Sequence, residues 1–96
     1  MIQHSVIFSL KHDKGSTKEV LFLDAAKKLE SISGVQHFKC LRQVSPKNKF
    51  DYGLTMEFSD QETYDRYSND EKHTDFIQNF WMKDVADFLE IDYQPL

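Results

Sequence analysis

The stretch FDYGLTMEF, residues 50–58, alternates in character without a slip. Phe50, Tyr52, Leu54, Met56 and Phe58 fall on one side of an extended chain, with Asp51, Gly53, Thr55 and Glu57 on the other. A strand with one apolar side belongs to a sheet with one covered face. The opposite face is then left to solvent or to a partner.

The remaining elements arrange themselves around that strand. IQHSVIFSL (2–10) also alternates, with Ile2, His4, Val6, Phe8 and Leu10 on one face and Gln3, Ser5, Ile7 and Ser9 on the other. Ser16-Thr17-Lys18-Glu19 has the spacing of a capping box. The run VLFLDAAKKLESI behind it predicts a helix, with Leu21, Ala25, Leu29 and Ile32 on one face and Gly34 as its stop. Residues 35–44 read as a second strand with both faces partly apolar, so either Phe38, Cys40 and Val44 or Val35, His37 and Leu41 face outward. Ser59-Asp60-Gln61-Glu62 repeats the capping spacing and opens a second helical region to about Phe80, broken near the turn-prone Asn69-Asp70 pair. VADFLEIDY (85–93) supplies a fourth strand. The order is β-α-β-β-α-β, an α+β chain with the ferredoxin-like pattern: four antiparallel strands with helices on one face.

With 96 residues and no linker or composition break, residues 1–96 are expected to form one domain. The net charge of −4 makes nucleic acid and anionic membranes poor electrostatic partners. Cys40 is the only cysteine, which excludes an intrachain disulfide and paired-thiolate metal sites. No run approaches the ~20 apolar residues that span a bilayer. Ile2–Leu10 is too interrupted by polar residues for a signal peptide, and a cytoplasmic location is expected. The mixed outer sheet face, with Ile7 among serines, is expected to bury itself in a homodimer.

Four rings are candidates for chemistry. His4 shares the strand face of Val6 and Phe8 and so points toward the helices. There it is either a satisfied core imidazole or a polar group on a cavity wall. Tyr52 lies on the matching face of the third strand. Tyr67 and His73, six residues apart, cannot share a face of one continuous helix; a break at Asn69-Asp70 brings them together. Tyr64 reads as packing, and Phe76 anchors the following helix with Phe80 and Trp81. His12 and His37 carry no signal. The four histidines lack the spacing of a metal-ligand pair, and no metal or cofactor is expected.

The segments HSVIF, ISGV, FDYGLTMEF, YSNDEKHTDF and IDY, in this order and spacing, resemble the stress-responsive A/B barrel (Dabb) family. The resemblance implies a dimeric α/β barrel of ferredoxin-like subunits. Most such proteins have no assigned reaction. One plant member is a polyketide cyclase that closes a ring by aldol condensation without metal or cofactor. Carried over, its residues make His73 the general base, Tyr67 the donor that polarises the substrate, and His4 a pocket residue, with Tyr52 at the place of a further pocket histidine. The chain departs from the family at Tyr52 and at Asp70-Glu71-Lys72, where a proline is usual. Asp70 and Glu71 are expected to favour a protonated His73.

Three readings follow. The leading one is a homodimer of no assigned reaction that binds an apolar or aromatic small molecule between sheet and helices. The alternative is a cofactor-free cyclase, related lyase or monooxygenase using His73 as base. The third is an interaction module whose function is dimerisation.

Overall fold

A computed structural model describes residues 1–96. Strand β1 (Ile2–Leu10) leads into helix α1 (Thr17–Lys27), which tightens into a 3-10 turn at Lys28–Ser31. Strands β2 (Gln36–Arg42) and β3 (Tyr52–Phe58) follow. Helix α2 (Gln61–Asn69) then gives way to α3 (Glu71–Phe76), a π-helical segment Ile77–Trp81, a last turn α4 (Met82–Asp84), and strand β4 (Val85–Tyr93). The antiparallel sheet has the order β2-β3-β1-β4, the ferredoxin-like arrangement expected from the element order. No helix is long and apolar enough to cross a membrane.

The alternation of β1 and β3 sets the core. Ile2, His4, Val6 and Phe8 are buried on the helical side, as are Tyr52, Leu54, Met56 and Phe58. Phe8, Phe22, Met56 and Phe58 are the largest side chains buried completely; full burial contributes about 1.5–3 kcal/mol for each side chain of this size.

Three details of the helices differ from the sequence reading. Helix α1 buries Phe22 and Ala26 where Leu21 and Ala25 were expected, with Leu21 57% exposed, while Leu29 and Ile32 beyond it are buried as expected. The second cap is Asp60, whose carboxylate accepts from the Thr63 amide at 2.8 Å; it is not the Ser59 of the capping pattern. Asp carries no penalty at that position, and either residue satisfies the open amides of a first turn. Glu19 reaches the Gly15 amide at 2.9 Å, while Ser16 caps Glu19 at 3.2 Å.

The expected break falls at Asp70, which ends α2 and caps α3 by accepting from the Lys72 amide at 2.8 Å. Gly34 stands at φ 91°, a backbone region that favours glycine. A Cβ there would lie 2.4 Å from Thr63 Cγ2, so the absent side chain also lets the chain pass close to α2.

The outer sheet face carries an apolar row. Leu41, Gly53, Ile7 and Leu89 are successive cross-strand neighbours from β2 to β4, and Leu41 and Leu89 are 46% and 49% exposed. This decides the face of β2: Cys40 pairs with inward Leu54, and Leu41 points out. Strand β4 is the unusual element. Phe88, Glu90 and Asp92 pair with the inward residues Phe8, Val6 and His4, whereas Leu89, Ile91 and Tyr93 pair with outward Ile7, Ser5 and Gln3. Its more apolar side therefore faces away from its own core, and two carboxylates face the helices.

Candidate functional site

Between the sheet and the α2–α3–π-helical run lies a cavity of about 390 Å³. His4, Leu54 and Met56 form its floor on β1 and β3. Tyr67, His73 and Trp81 form its helical roof, and Phe88 and Glu90 approach from β4. Its mouth is marked by the exposed lining residues Met82, at 69%, Phe88, at 48%, and Glu90.

His4 is buried, with Nδ1 2.6 Å from Asp92 Oδ1. A carboxylate only accepts, so Nδ1 carries the proton and Nε2 keeps its lone pair when the ring is neutral. Asp92 is placed by register, directly across the β1–β4 ladder from His4. Tyr64 completes the group: its single hydroxyl proton goes to Asp92 Oδ2 at 2.9 Å, with Glu90 Oε1 a longer alternative acceptor at 3.3 Å, and its oxygen lies 2.8 Å from His4 Nδ1. Its ring stacks on Phe58 at 4.8 Å and 4°. Burial, then the Asp92 and Glu90 carboxylates, push the Tyr64 phenol far above its ordinary pKa, so it remains a donor.

Tyr67 and His73 meet across the helix break, with ring centroids 4.6 Å apart. The His73 Nδ1 lies 3.0 Å from the Ser68 carbonyl, which again assigns the proton to Nδ1 and leaves Nε2 as the acceptor. Burial lowers the His73 pKa, outweighing the Ser68 carbonyl and the more distant Glu90 and Asp70, which pull upward. The expected protonation by Asp70 and Glu71 is thus reversed, because the Asp70 carboxylate caps α3 and desolvation of the ring is the larger effect.

Tyr67 is 2% exposed, and its hydroxyl has no hydrogen-bond partner in the protein. No fully enclosed side-chain polar atom lacks a partner, so this hydroxyl opens onto the cavity. Burial, then the Glu90 charge, raise its pKa and keep it protonated.

Tyr52 is not part of this site. It is buried at the other end of the core, stacked on Phe8 at 5.3 Å with its hydroxyl donating to Glu19. Arg42 lies over its outer ring at 5.5 Å. Burial and the Glu19 carboxylate push its pKa up to about 12. The strand face expected for it is correct, but the position along the strand takes it past the cavity: Tyr52 pairs with Phe8, four residues along β1 from His4.

The structure therefore brings His4, Tyr67 and His73 to one cavity and adds Tyr64, Glu90, Asp92 and Trp81. Tyr64 reads as packing from its helical spacing alone. The acids of β4 become visible only once its register against β1 is known, because its apolar pattern indicates the opposite face.

The sequence profile of the stress-responsive A/B barrel domain matches residues 2–95. No curated protein matches by sequence. A solved Dabb family protein with a ferredoxin-like fold, from Mesorhizobium loti, is 49% identical over 99% of this chain and 96% of its own, with a TM-score of 0.95. A dimeric ferredoxin-like protein of unknown function from Bacteroides fragilis shares the fold at 16% identity and TM-score 0.75, over 98% of this chain and 95% of that one. So does a hydroxynitrile lyase from Passiflora edulis, at 12% identity and TM-score 0.82, over 96% and 90%. With the profile match spanning nearly its whole length, the chain belongs to the stress-responsive A/B barrel family.

Proposed function

We propose that the protein is a homodimer that binds an apolar or aromatic small molecule in the cavity between its sheet and helices. The observation that carries this reading is the Tyr67 hydroxyl, a donor on a nearly fully buried ring, left without a protein partner in an apolar cavity of about 390 Å³. Leaving a polar group unpaired in a core is unfavourable unless water or a ligand takes the bond. The volume lies within the range of small-molecule sites, and the lining, mostly hydrophobic with a few convergent polar groups, is of their kind. The outward Leu41–Ile7–Leu89 row supports the dimer, as does the description of the Bacteroides fragilis relative as dimeric. A cytoplasmic location suits a chain with one half-buried free cysteine.

A thermal-shift screen of apolar and aromatic compounds tests the binding. Ligands that raise the melting temperature are expected, with affinity reduced roughly fivefold in Tyr67→Phe, the loss of about one hydrogen bond. A screen without any stabilising compound contradicts the reading.

A second reading adds proton transfer. It is favoured by the burial of His73, which lowers its pKa and keeps the ring neutral against the upward pull of the Ser68 carbonyl, while the bond of Nδ1 to that carbonyl leaves Nε2 free in a ring that lines the cavity. Tyr67 would donate to the carbonyl of an activated carbon acid while His73 takes its proton. Deuterium exchange into a β-diketone, followed by NMR, would be faster with the protein than without it and lost in His73→Gln. An unchanged rate in that variant removes the reading.

A further inference from the structure

The formal charges along the cavity wall have one sign. The lining contains no lysine or arginine, Glu90 is on it, and Asp92 stands behind His4. Neither carboxylate is paired with a lysine or arginine; the basic group beside them is the His4 imidazole, with Nδ1 2.6 Å from Asp92 and 3.9 Å from Glu90. Two acids against one imidazole leave the group net negative whether or not that ring holds a second proton.

The Glu90 side chain is 51% exposed, so its carboxylate sits toward the mouth and keeps its hydration until a ligand arrives. Beside it at the mouth Phe88 meets Trp81 edge to face at 5.4 Å, and the buried Phe76, Leu54 and Met56 line the cavity deeper in.

We propose that the cavity selects an aromatic or apolar amine, with its ammonium group held by Glu90 at the mouth and its apolar body lodged beneath Trp81 and Phe88. This rests on the reading of the cavity as a ligand site and names the charge class of the ligand. Glu90 offers an ammonium group a charge-assisted hydrogen bond, and the adjoining aromatic rings present favourable faces to a cation. A carboxylate ligand of the same shape meets like charge there, and a neutral alcohol gains only a weaker bond. The Tyr67 hydroxyl, unpaired on a nearly fully buried ring, independently supports the reading of the cavity as a ligand site. The same field opposes a developing enolate, so it weighs toward binding over carbanion chemistry in this site.

Trp81 is the only tryptophan and lines the cavity, which makes its emission a direct reporter. The full-length chain would be titrated near neutral pH with phenylbutylamine, phenylbutanol and phenylbutyrate, which share a body and differ in the head group. The amine should bind about tenfold or more tighter than the carboxylate, with the alcohol between them and the spread narrowing as salt is raised. In Glu90→Gln the amine-to-alcohol ratio should fall toward one. Equal affinities for the three in the wild type, or a preference that survives Glu90→Gln, overturn the charge selection while leaving the cavity a ligand site. Glu90 would then serve only as an inward charge that guards the edge strand against pairing. Failure of all three to bind removes the selection and the binding reading together.

Discussion

At the scale of single residues, the site depends on which groups are satisfied by the protein and which are not. His4, Tyr64 and Asp92 satisfy one another, so their contribution is first to the fold. Tyr64→Phe removes the donor to Asp92 and should lower stability by about 1–2 kcal/mol in a denaturant titration. His73 adds a pH signature. Its folded pKa lies below the ordinary 6.5, so between that value and the lowered one the unfolded chain holds more protons. Stability should therefore be complete above about 6.5 and fall as pH drops through that window. Carboxylates with lowered pKa values, such as Asp60, act only at more acidic pH. Melting temperatures measured against pH should show a shallower decline between neutral pH and about 5 in His73→Gln; an identical slope would show that this imidazole is not held neutral by the fold. That His4, Tyr67 and His73 come together on one cavity was legible from the strand face, the helix break and the family pattern. Tyr52 was misplaced because alternation gives the side of a strand and says nothing about how far along it a cavity extends. The direction of the His73 shift was hidden because nearby acids are visible in a sequence and desolvation is not.

At the scale of elements, β4 explains most of what the sequence concealed. Hydrophobic alternation normally names the buried side of a strand, and here Leu89, Ile91 and Tyr93 would claim it. The β1 register assigns that side to Phe88, Glu90 and Asp92. A strand turned in this way has lost the simplest reason for its direction, and the proposed partner surface outside and ligand inside would supply one together. The helical elements were read more successfully, since caps and breaks are local. Asp70 stops α2 and starts α3, and that change of axis brings Tyr67 and His73 into contact across an otherwise unfavourable six-residue spacing. The α1 face was misread by one residue at Leu21 and Ala25, though not at Leu29 and Ile32, because Leu21 and Phe22 are both apolar and only packing chooses between them. Gly34 is the element boundary with the least tolerance. Gly34→Ala combines an unfavourable backbone with a clash at Thr63 and should lower stability by about 1–3 kcal/mol. Adding Thr63→Ser should return only the part due to the clash. If Gly34→Ala alone were neutral in thermal unfolding, the close approach of the turn to α2 would be wrong.

At the scale of the whole molecule, one sheet separates two environments. Its outer side carries the Leu41–Gly53–Ile7–Leu89 row, and its inner side carries the core and the cavity. The proposed dimer rests on the first. Light scattering should give twice the mass of the chain, and Ile7→Asp, which places a charge in the middle of the row, should give a monomer that keeps its far-ultraviolet circular dichroism. A wild-type monomer at micromolar concentration would leave the outer row unexplained. The overall architecture was legible because element order and two clean strands suffice to specify it, while the cavity was not, since empty space depends on how side chains from eight segments of the chain fail to meet. The measurement that tests the account most directly is backbone and side-chain NMR of the chain titrated with phenylbutanol, which reads both faces of the sheet at once. The account predicts saturable shifts at Leu54, Tyr67, His73 and Trp81, with Ile7, Leu41 and Leu89 unmoved. Shifts confined to the outer row, or none at saturating ligand, would contradict it.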